Sequence, residues 1–228
     1  MCGIFGYFNL ERKSIDNDYI LKMSKELIHR GPDAEGKYTS DGILLGNRRL
    51  SIIDIEGGNQ PFYSNDRKIV IVQNGEIYNH IELADEVKLR GNPCITKSDT
   101  EVLLRLYELD GISFLNKLNG MFSIAIYDDR SEELILARDR IGIKPLFYFK
   151  EENKIIFASE IKSILKSGNK KPPISKKGIS HFLSFGFVPL PFTIYKGIYH
   201  VMPGEFISFS KKGLYREKWW DLSEVVPQ

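Results

Sequence analysis

Four short apolar runs crowd the stretch from Met121 to Ala158, and this crowding narrows the possible folds more than any other feature of the chain. Met121 to Tyr127, Leu134 to Arg138, Leu146 to Phe149 and Ile155 to Ala158 read as strands, with turn residues at Asp128-Asp129 and at Glu151 to Asn153. A meander is the simplest arrangement for them. Further strands are expected over the first eight residues, over Ile43 to Leu50 and over Ile69 to Gln73. In the last of these, the Ile-Val-Ile-Val run stops at Asn74-Gly75, which reads as a turn at a strand end. Helices are expected over Asn17 to His29, Asn79 to Leu89, Asp99 to Leu109 and Ser159 to Leu165. Ser98 or Asp99 is the expected cap of the third. After a break at Lys170-Lys171-Pro172-Pro173 come a helix over Ser175 to Ser184 and a hairpin of Phe206 to Phe209 with Leu214 to Trp219. Strands and helices fall in blocks, not in strict alternation. That favours a layered α+β fold over a doubly wound sheet.

The 228 residues permit a full core, and a hydrophobic fraction of 42% is ordinary for a globular protein. A net charge of +2, with no basic stripe or tail, gives no support to a nucleic-acid partner. The two cysteines, Cys2 and Cys94, cannot build a disulfide framework. The apolar start is short, lacks a basic flank and runs at once into Glu11, Arg12 and Lys13, unlike a signal peptide. No apolar run reaches the roughly 18 residues a bilayer demands. A cytoplasmic protein without a membrane partner is the expectation.

Chemistry gathers at a few positions. Removal of Met1 leaves a thiol and a free α-amine on Cys2, and the amine, with a pKa near 7.7–8.0, can take the thiol proton and return it to a leaving group. Taken alone, Cys2 is more often read as a small apolar residue in a buried first strand. Asn74 and Gly75 can supply a side-chain NH2 and a backbone N–H to an oxyanion, or can be a plain turn. Arg48, Arg49, Glu76 and Asp99 are the charges available to hold a zwitterion, an arginine for its carboxylate and acids for its ammonium. Each is also readable as a surface charge or a cap. The four histidines lack metal-ligand spacing, so no metal site is expected. No Gly-rich phosphate loop is present either.

Taken together, several motifs form an ordered pattern. Cys2-Gly3-Ile4, His29-Arg30-Gly31-Pro32-Asp33, Arg49-Leu50-Ser51-Ile52, Asn74-Gly75-Glu76-Ile77-Tyr78-Asn79 and Ser98-Asp99-Thr100-Glu101 resemble the glutaminase domain of glutamine-hydrolysing asparagine synthetases. Ala137-Arg138-Asp139-Arg140, Lys144-Pro145-Leu146 and Phe157-Ala158-Ser159-Glu160 continue the likeness, and Pro203-Gly204 and Trp219-Trp220 extend it to the tail. The resemblance implies a four-layer αββα sandwich of the N-terminal nucleophile (Ntn) hydrolase type. It implies Cys2 as nucleophile with its own amine as base, and Asn74 and Gly75 as oxyanion hole. Arg49 would hold the glutamine α-carboxylate, Glu76 and Asp99 the α-ammonium, and groups around Leu50 and Ile52 would line the pocket. The implied amidotransferase domain covers residues 2–190. Residues 191–228 form an extension toward an ATP-dependent synthetase domain that the sequence does not contain. ATP and Mg are expected in that domain only, with no cofactor in this one. The expected partners are glutamine, the synthetase domain and a second copy of the chain. Two other readings stay open: the glutaminase domain of a related amidotransferase with a different acceptor, and a glutamine-binding module without catalysis.

Overall fold

The computed structural model describes residues 1–168 and 171–224. Lys170, where the expected break begins, lies outside them. The elements run β1 (Gly3–Asn9), α1 (Asn17–Lys25), β2 (Ala34–Ser40), β3 (Ile43–Arg49), β4 (Phe62–Tyr63), β5 (Ile69–Ile77), α2 (His80–Leu89), α3 (Asp99–Asp110), β6 (Gly120–Asp128) and β7 (Glu133–Arg138). They continue as β8 (Phe147–Lys150), β9 (Lys154–Ala158), α4 (Ile161–Ile164), α5 (Lys176–Phe185), β10 (Ile198–His200), β11 (Glu205–Ser210) and β12 (Gly213–Lys218). Two antiparallel sheets result, in the orders β10-β8-β9-β1-β3-β2 and β12-β11-β7-β6-β5-β4.

The period-2 alternation of side chains assigns the layers. On β5, Val70 and Val72 pack between the sheets with Ile4 and Phe8 of β1, Leu45 of β3 and Leu134 and Leu136 of β7. Ile69, Ile71 and Ile77 point the other way, onto Leu83 and Val87 of α2 and Leu103 and Leu106 of α3. On β1, Phe5 and Tyr7 face Ile20 and Met23 of α1 and Ile164 of α4. Helices therefore cover the outer face of each sheet, and the layers are α, β, β, α. Strands buried on both faces explain the unbroken apolar runs of β1 and β5.

The four crowded strands do not form one meander. β6 and β7 are a hairpin in the second sheet, whereas β8 and β9 are a hairpin in the first. The chain crosses between sheets after Arg138. Buried Arg138 donates to the carbonyls of Gly142 (2.7 Å), Lys144 (2.7 Å) and Val201 (2.8 Å). Buried Asp139 accepts the N–H groups of Phe122, Ile143 and Lys144. These six bonds satisfy backbone groups of residues 142–144, of Val201 and of the start of β6, and two adjacent charged residues gave no sequence sign of it.

Asn74-Gly75 is not a turn. β5 continues to Ile77, with Asn74 opposite Ser123 and Gly75 opposite Phe122 on β6. A Cβ on Gly75 would lie 2.2 Å from the Met121 carbonyl oxygen, so close sheet packing demands the glycine. The turn comes later, where Asn79 donates to Lys117 O and accepts Asn119 N. α1 ends at Lys25, earlier than the expected His29, because Gly31 must press against β3: a Cβ there would lie 2.3 Å from Arg48 C and O. β2 and β10 escape the sequence reading, β2 being an edge strand whose Glu35, Lys37 and Thr39 mask its pattern. Ser98 sits at the cap position of α3 but makes no side-chain capping bond. Residues 205–218, expected within the extension after residue 190, form the β11–β12 hairpin, and β11 pairs with β7.

Candidate active site

At one end of the sandwich the inter-sheet layer turns from apolar to polar. Along β3 the inward face passes from Leu45 to Asn47 and Arg49. Along β5 it passes from Val72 to Asn74 and Glu76, and along β6 from Ala125 to Ser123 and Met121. On β1 the same face runs from Ile4 back to Cys2. A pocket with about 680 Å³ of empty space, open to solvent, occupies this end. Cys2, Arg49, Leu50, Ile52, Asn74, Gly75, Glu76 and Asp99 all line it. The structure thus brings together the residues the sequence put forward for the site, with the exception of Arg48.

Cys2 is held by its backbone and by the loop after β3. Its Sγ lies 3.4 Å from Leu50 N and 3.6 Å from Leu50 O. Arg30 Nε donates to the Cys2 carbonyl at 2.9 Å, and Arg30 is fixed by Glu160 at 3.1 Å. Glu160 also takes His29 Nε2 at 2.8 Å. Asp33 accepts Ser51 N at 2.8 Å and its own N–H reaches Arg49 O. The His-Arg-Gly-Pro-Asp segment is therefore a buckle that ties the chain start to the pocket wall. Met1 precedes Cys2 at the pocket edge.

Asn74 is fully buried, and neither its Nδ2 nor its Oδ1 has a hydrogen-bond partner. A buried amide without partners is destabilising by about 1–3 kcal/mol, so a ligand oxygen at this place gains a donor that folding has left unused. Antiparallel pairing turns the N–H groups of Gln73, Gly75 and Ile77 away from β6. Gln60 Oε1 accepts Gln73 N at 2.7 Å, and Asp99 Oδ2 accepts Ile77 N at 3.1 Å. The Gly75 N–H points the same way between them, along an edge that short β4 leaves uncovered.

The two arginines separate. Arg48 pairs with Glu35 at 2.9 Å and donates to Ser24 on the α1 side. Arg49 faces the pocket, but both Nη atoms are engaged: Nη1 donates to Ile55 O (3.0 Å) and Asn59 Oδ1 (2.9 Å), Nη2 to Ile53 O (2.9 Å) and Asp54 O (2.6 Å). The fork that the sequence reading reserved for a carboxylate instead pins the rim loop 53–59, and Nε is its remaining donor. Asp99 opens α3 and accepts from Gln73 Nε2 at 3.2 Å as well as from Ile77 N. Burial raises its carboxyl above the ordinary range despite those bonds. Neither Asp99 nor Glu76 forms an ion pair among the described residues, although Arg49 and Lys144 line the same pocket.

Residues that sequence reasoning did not assign complete the wall. Gln60, Gln73 and Thr100 close a ring: Gln60 Nε2 donates to Thr100 Oγ1 (3.1 Å), and Thr100 Oγ1 donates to Gln73 Oε1 (2.9 Å). Lys144 lines the pocket too. Its position in the Lys-Pro-Leu motif was the available signal, but nothing in a sequence separates a buried lysine from a surface one. Cys94 lies elsewhere, against the α2–α3 core, and burial pushes its thiol up to about 11. Among the described residues no His, Cys, Asp or Glu cluster is placed to hold a metal, and no helix is long and apolar enough to cross a membrane.

Comparison with known proteins agrees with this geometry. The family profile of a glutamine amidotransferase domain matches residues 1–220. The asparagine synthetase [glutamine-hydrolyzing] 3 of Bacillus subtilis is 37% identical over 227 residues, which span 97% of this chain and 37% of that protein. The asparagine synthetase B [glutamine-hydrolyzing] of Escherichia coli is 40% identical over 167 residues, 72% of this chain and 30% of that one. The chain spans about a third of the length of these curated relatives. Among solved structures, the glutamine phosphoribosylpyrophosphate amidotransferase of B. subtilis, complexed with ADP and GMP, superposes with a TM-score of 0.69 at 21% identity. That match covers 96% of this chain and 49% of the other, and the likeness is one of fold.

Proposed function

The chain belongs to the glutamine amidotransferase family, homologous to the glutaminase half of asparagine synthetases, and from that premise we propose how its pocket cleaves glutamine. Loss of Met1 frees the Cys2 α-amine. The amine takes the thiol proton, and Sγ attacks the side-chain amide carbon of glutamine. Negative charge moves to the amide oxygen, where Asn74 Nδ2 and Gly75 N–H receive it. The C–N bond breaks, the amine's proton goes to the departing nitrogen, and ammonia leaves. Water then hydrolyses the glutamyl thioester, releasing glutamate and restoring the thiol.

The observation that carries this reading is the Asn74 amide, fully buried, unpartnered and in the same pocket as Cys2. The unpaired acids Asp99 and Glu76 suit the α-ammonium of the substrate, and Leu50 and Ile52 close the wall around it. Arg49 acts on the α-carboxylate through Nε and through the loop it holds. In a longer, cytoplasmic protein the ammonia passes to a synthetase domain that uses ATP and Mg to amidate aspartate. A different acceptor is the second reading. One relative, the amidase chry2 of Gibberella zeae, 39% identical over 97% of this chain, is not named as an asparagine synthetase.

The test is glutamate release from glutamine, with intact mass recorded on the same sample. Turnover by a chain that has lost Met1, abolished in Cys2→Ala with glutamine binding retained, is the expected result. A glutamine-like alkylating ketone is expected to label Cys2 and spare Cys94. Equal turnover in Cys2→Ala would remove the thiol from the mechanism.

A further inference from the structure

Lys144 is 5% exposed, yet no carboxylate lies within ion-pair distance of it among the described residues. Its Nζ donates to Met1 Sδ at 3.4 Å, a weak acceptor on the residue whose removal the cysteine mechanism requires. The rest of Lys144 is fixed at both ends of its peptide unit: its N–H donates to Asp139 Oδ2 at 2.9 Å, and its carbonyl accepts Arg138 Nε at 2.7 Å. The buried crossover thus delivers one ammonium group to the place where the chain begins. Charged groups surround it from each side. Arg30, from the turn after α1, repels it, whereas Asp139 of the crossover, Cys2 before β1 and Glu76 of β5 attract it. Burial, followed by Arg30, lowers its own ionisation range. A lysine kept for its stem alone would turn its head to water.

We propose that Lys144 is a positioning residue of the Cys2 centre, whose ammonium stabilises negative charge on Sγ and opposes positive charge on the Cys2 α-amine. The proposal rests on the reading of Cys2 as nucleophile. A cation at this point assists both halves of that residue: it favours the attacking thiolate, and it keeps the amine neutral and able to accept a proton. Arg30, held on the Cys2 carbonyl, adds to the same field. Because Lys144 makes no ion pair, its charge is shared among Asp139, Glu76 and Cys2 instead of being held by one acid.

The experiment is the rate of Cys2 alkylation by iodoacetamide from pH 6 to 10. It uses the mature chain without glutamine, and peptide mass separates Cys2 from Cys94. Lys144→Met keeps the stem and removes the charge; Lys144→Gln is the second neutral variant and Lys144→Arg the rescue. The neutral variants are expected to react about ten-fold more slowly at pH 7, the size of effect that one nearby opposite charge produces. They are expected to match the parent at pH 10, with Lys144→Arg close to the parent throughout. Unchanged rates would overturn the proposal, as would a loss of rate that is equal at every pH, because that reports altered access instead of altered charge. Glutamine turnover measured on the same samples keeps the two ideas apart. If the parent chain shows the charge-dependent labelling but no turnover, the glutaminase mechanism fails and the role of Lys144 stands.

Discussion

The carboxylate of Asp99, the first residue of α3, accepts the backbone N–H of Ile77 at 3.1 Å, two residues beyond Gly75 on the open edge of β5. Fold and recognition compete at this bond. Burial disfavours the ionised Asp99, so its folded range lies above the unfolded one. By linkage, that protonated group supports folding at low pH, and the support is lost as pH rises through the folded value. Asp99→Asn keeps an oxygen for Ile77 and Gln73 and removes the charge. The variant is expected to melt higher than the parent at pH 7, while KM for glutamine rises about 10- to 100-fold through loss of a charge-assisted bond of roughly 1.5–3 kcal/mol. Thermal melts and steady-state kinetics on the same preparation check both halves.

Asn74→Ala separates chemistry from stability in the other direction. The side chain makes no hydrogen bond within the protein, so its removal is expected to leave the melting temperature unchanged or raised. Turnover number is expected to fall about 10²- to 10³-fold, the usual consequence of deleting one oxyanion donor. A kcat within two-fold of the parent would place the oxyanion elsewhere.

Arg49 and Arg48 are expected to differ sharply. Arg49→Ala frees the loop 53–59 from four bonds, so KM is expected to rise by about ten-fold or more, and the amides of that loop to exchange faster with solvent. Arg48→Ala breaks a pair with Glu35 on the α1 face and is expected to leave KM within about two-fold. Hydrogen exchange resolved by peptide distinguishes a rim-loop effect from a direct loss of substrate contact.

His200 gives the fold a pH dependence of its own. Burial, then the charge of Arg138, lowers its imidazole to about 4 from an ordinary value of 6.5. Between those values the unfolded chain holds more protons than the folded one, so stability falls as pH drops from 6.5 toward 4. Nδ1 has no partner, and the ring lies 4.3 Å from that of Phe147. His200→Phe is expected to flatten the decline of melting temperature over that window while matching the parent above pH 7.

What the sequence disclosed, and what it withheld, follows from the range of the interactions involved. The apolar runs of β5 and β6 are local, so the strands could be read directly, whereas the layer each face serves could not, because both faces are apolar. Cys2, Asn74 and Asp99 were each ambiguous alone and became legible through the ordered motifs that resemble the glutaminase domain. The pairing of β8 with β9 in the other sheet was not, since it depends on Asp139 meeting Phe122 N from 17 positions away. The conformation of the Asn-Gly pair was misread for the same reason. Its neighbours across the ladder, Ser123 and Phe122, keep it extended where its own propensity favours a turn. Arg49 was found, but its four oxygen partners lie in a loop whose path no periodicity announces. Lys144 was quoted within a motif and assigned no task, because burial of a single lysine is decided by the crossover that carries it.

Cys2 precedes a strand of one sheet and Asn74 sits in a strand of the other. The gap between nucleophile and oxyanion donor is therefore set by how the sheets stack, and the side chains of the middle layer act as spacers for the reaction. Trimming one of them, as in Val72→Ala, lets the stack settle by a fraction of an ångström that folding tolerates and bond-making does not. Apart from Asp99 and Thr100 at the start of α3, the outer helices carry no such burden. Sequence drift in a lineage of this protein has its freedom on the outside, and the plane between the sheets is where activity is lost first.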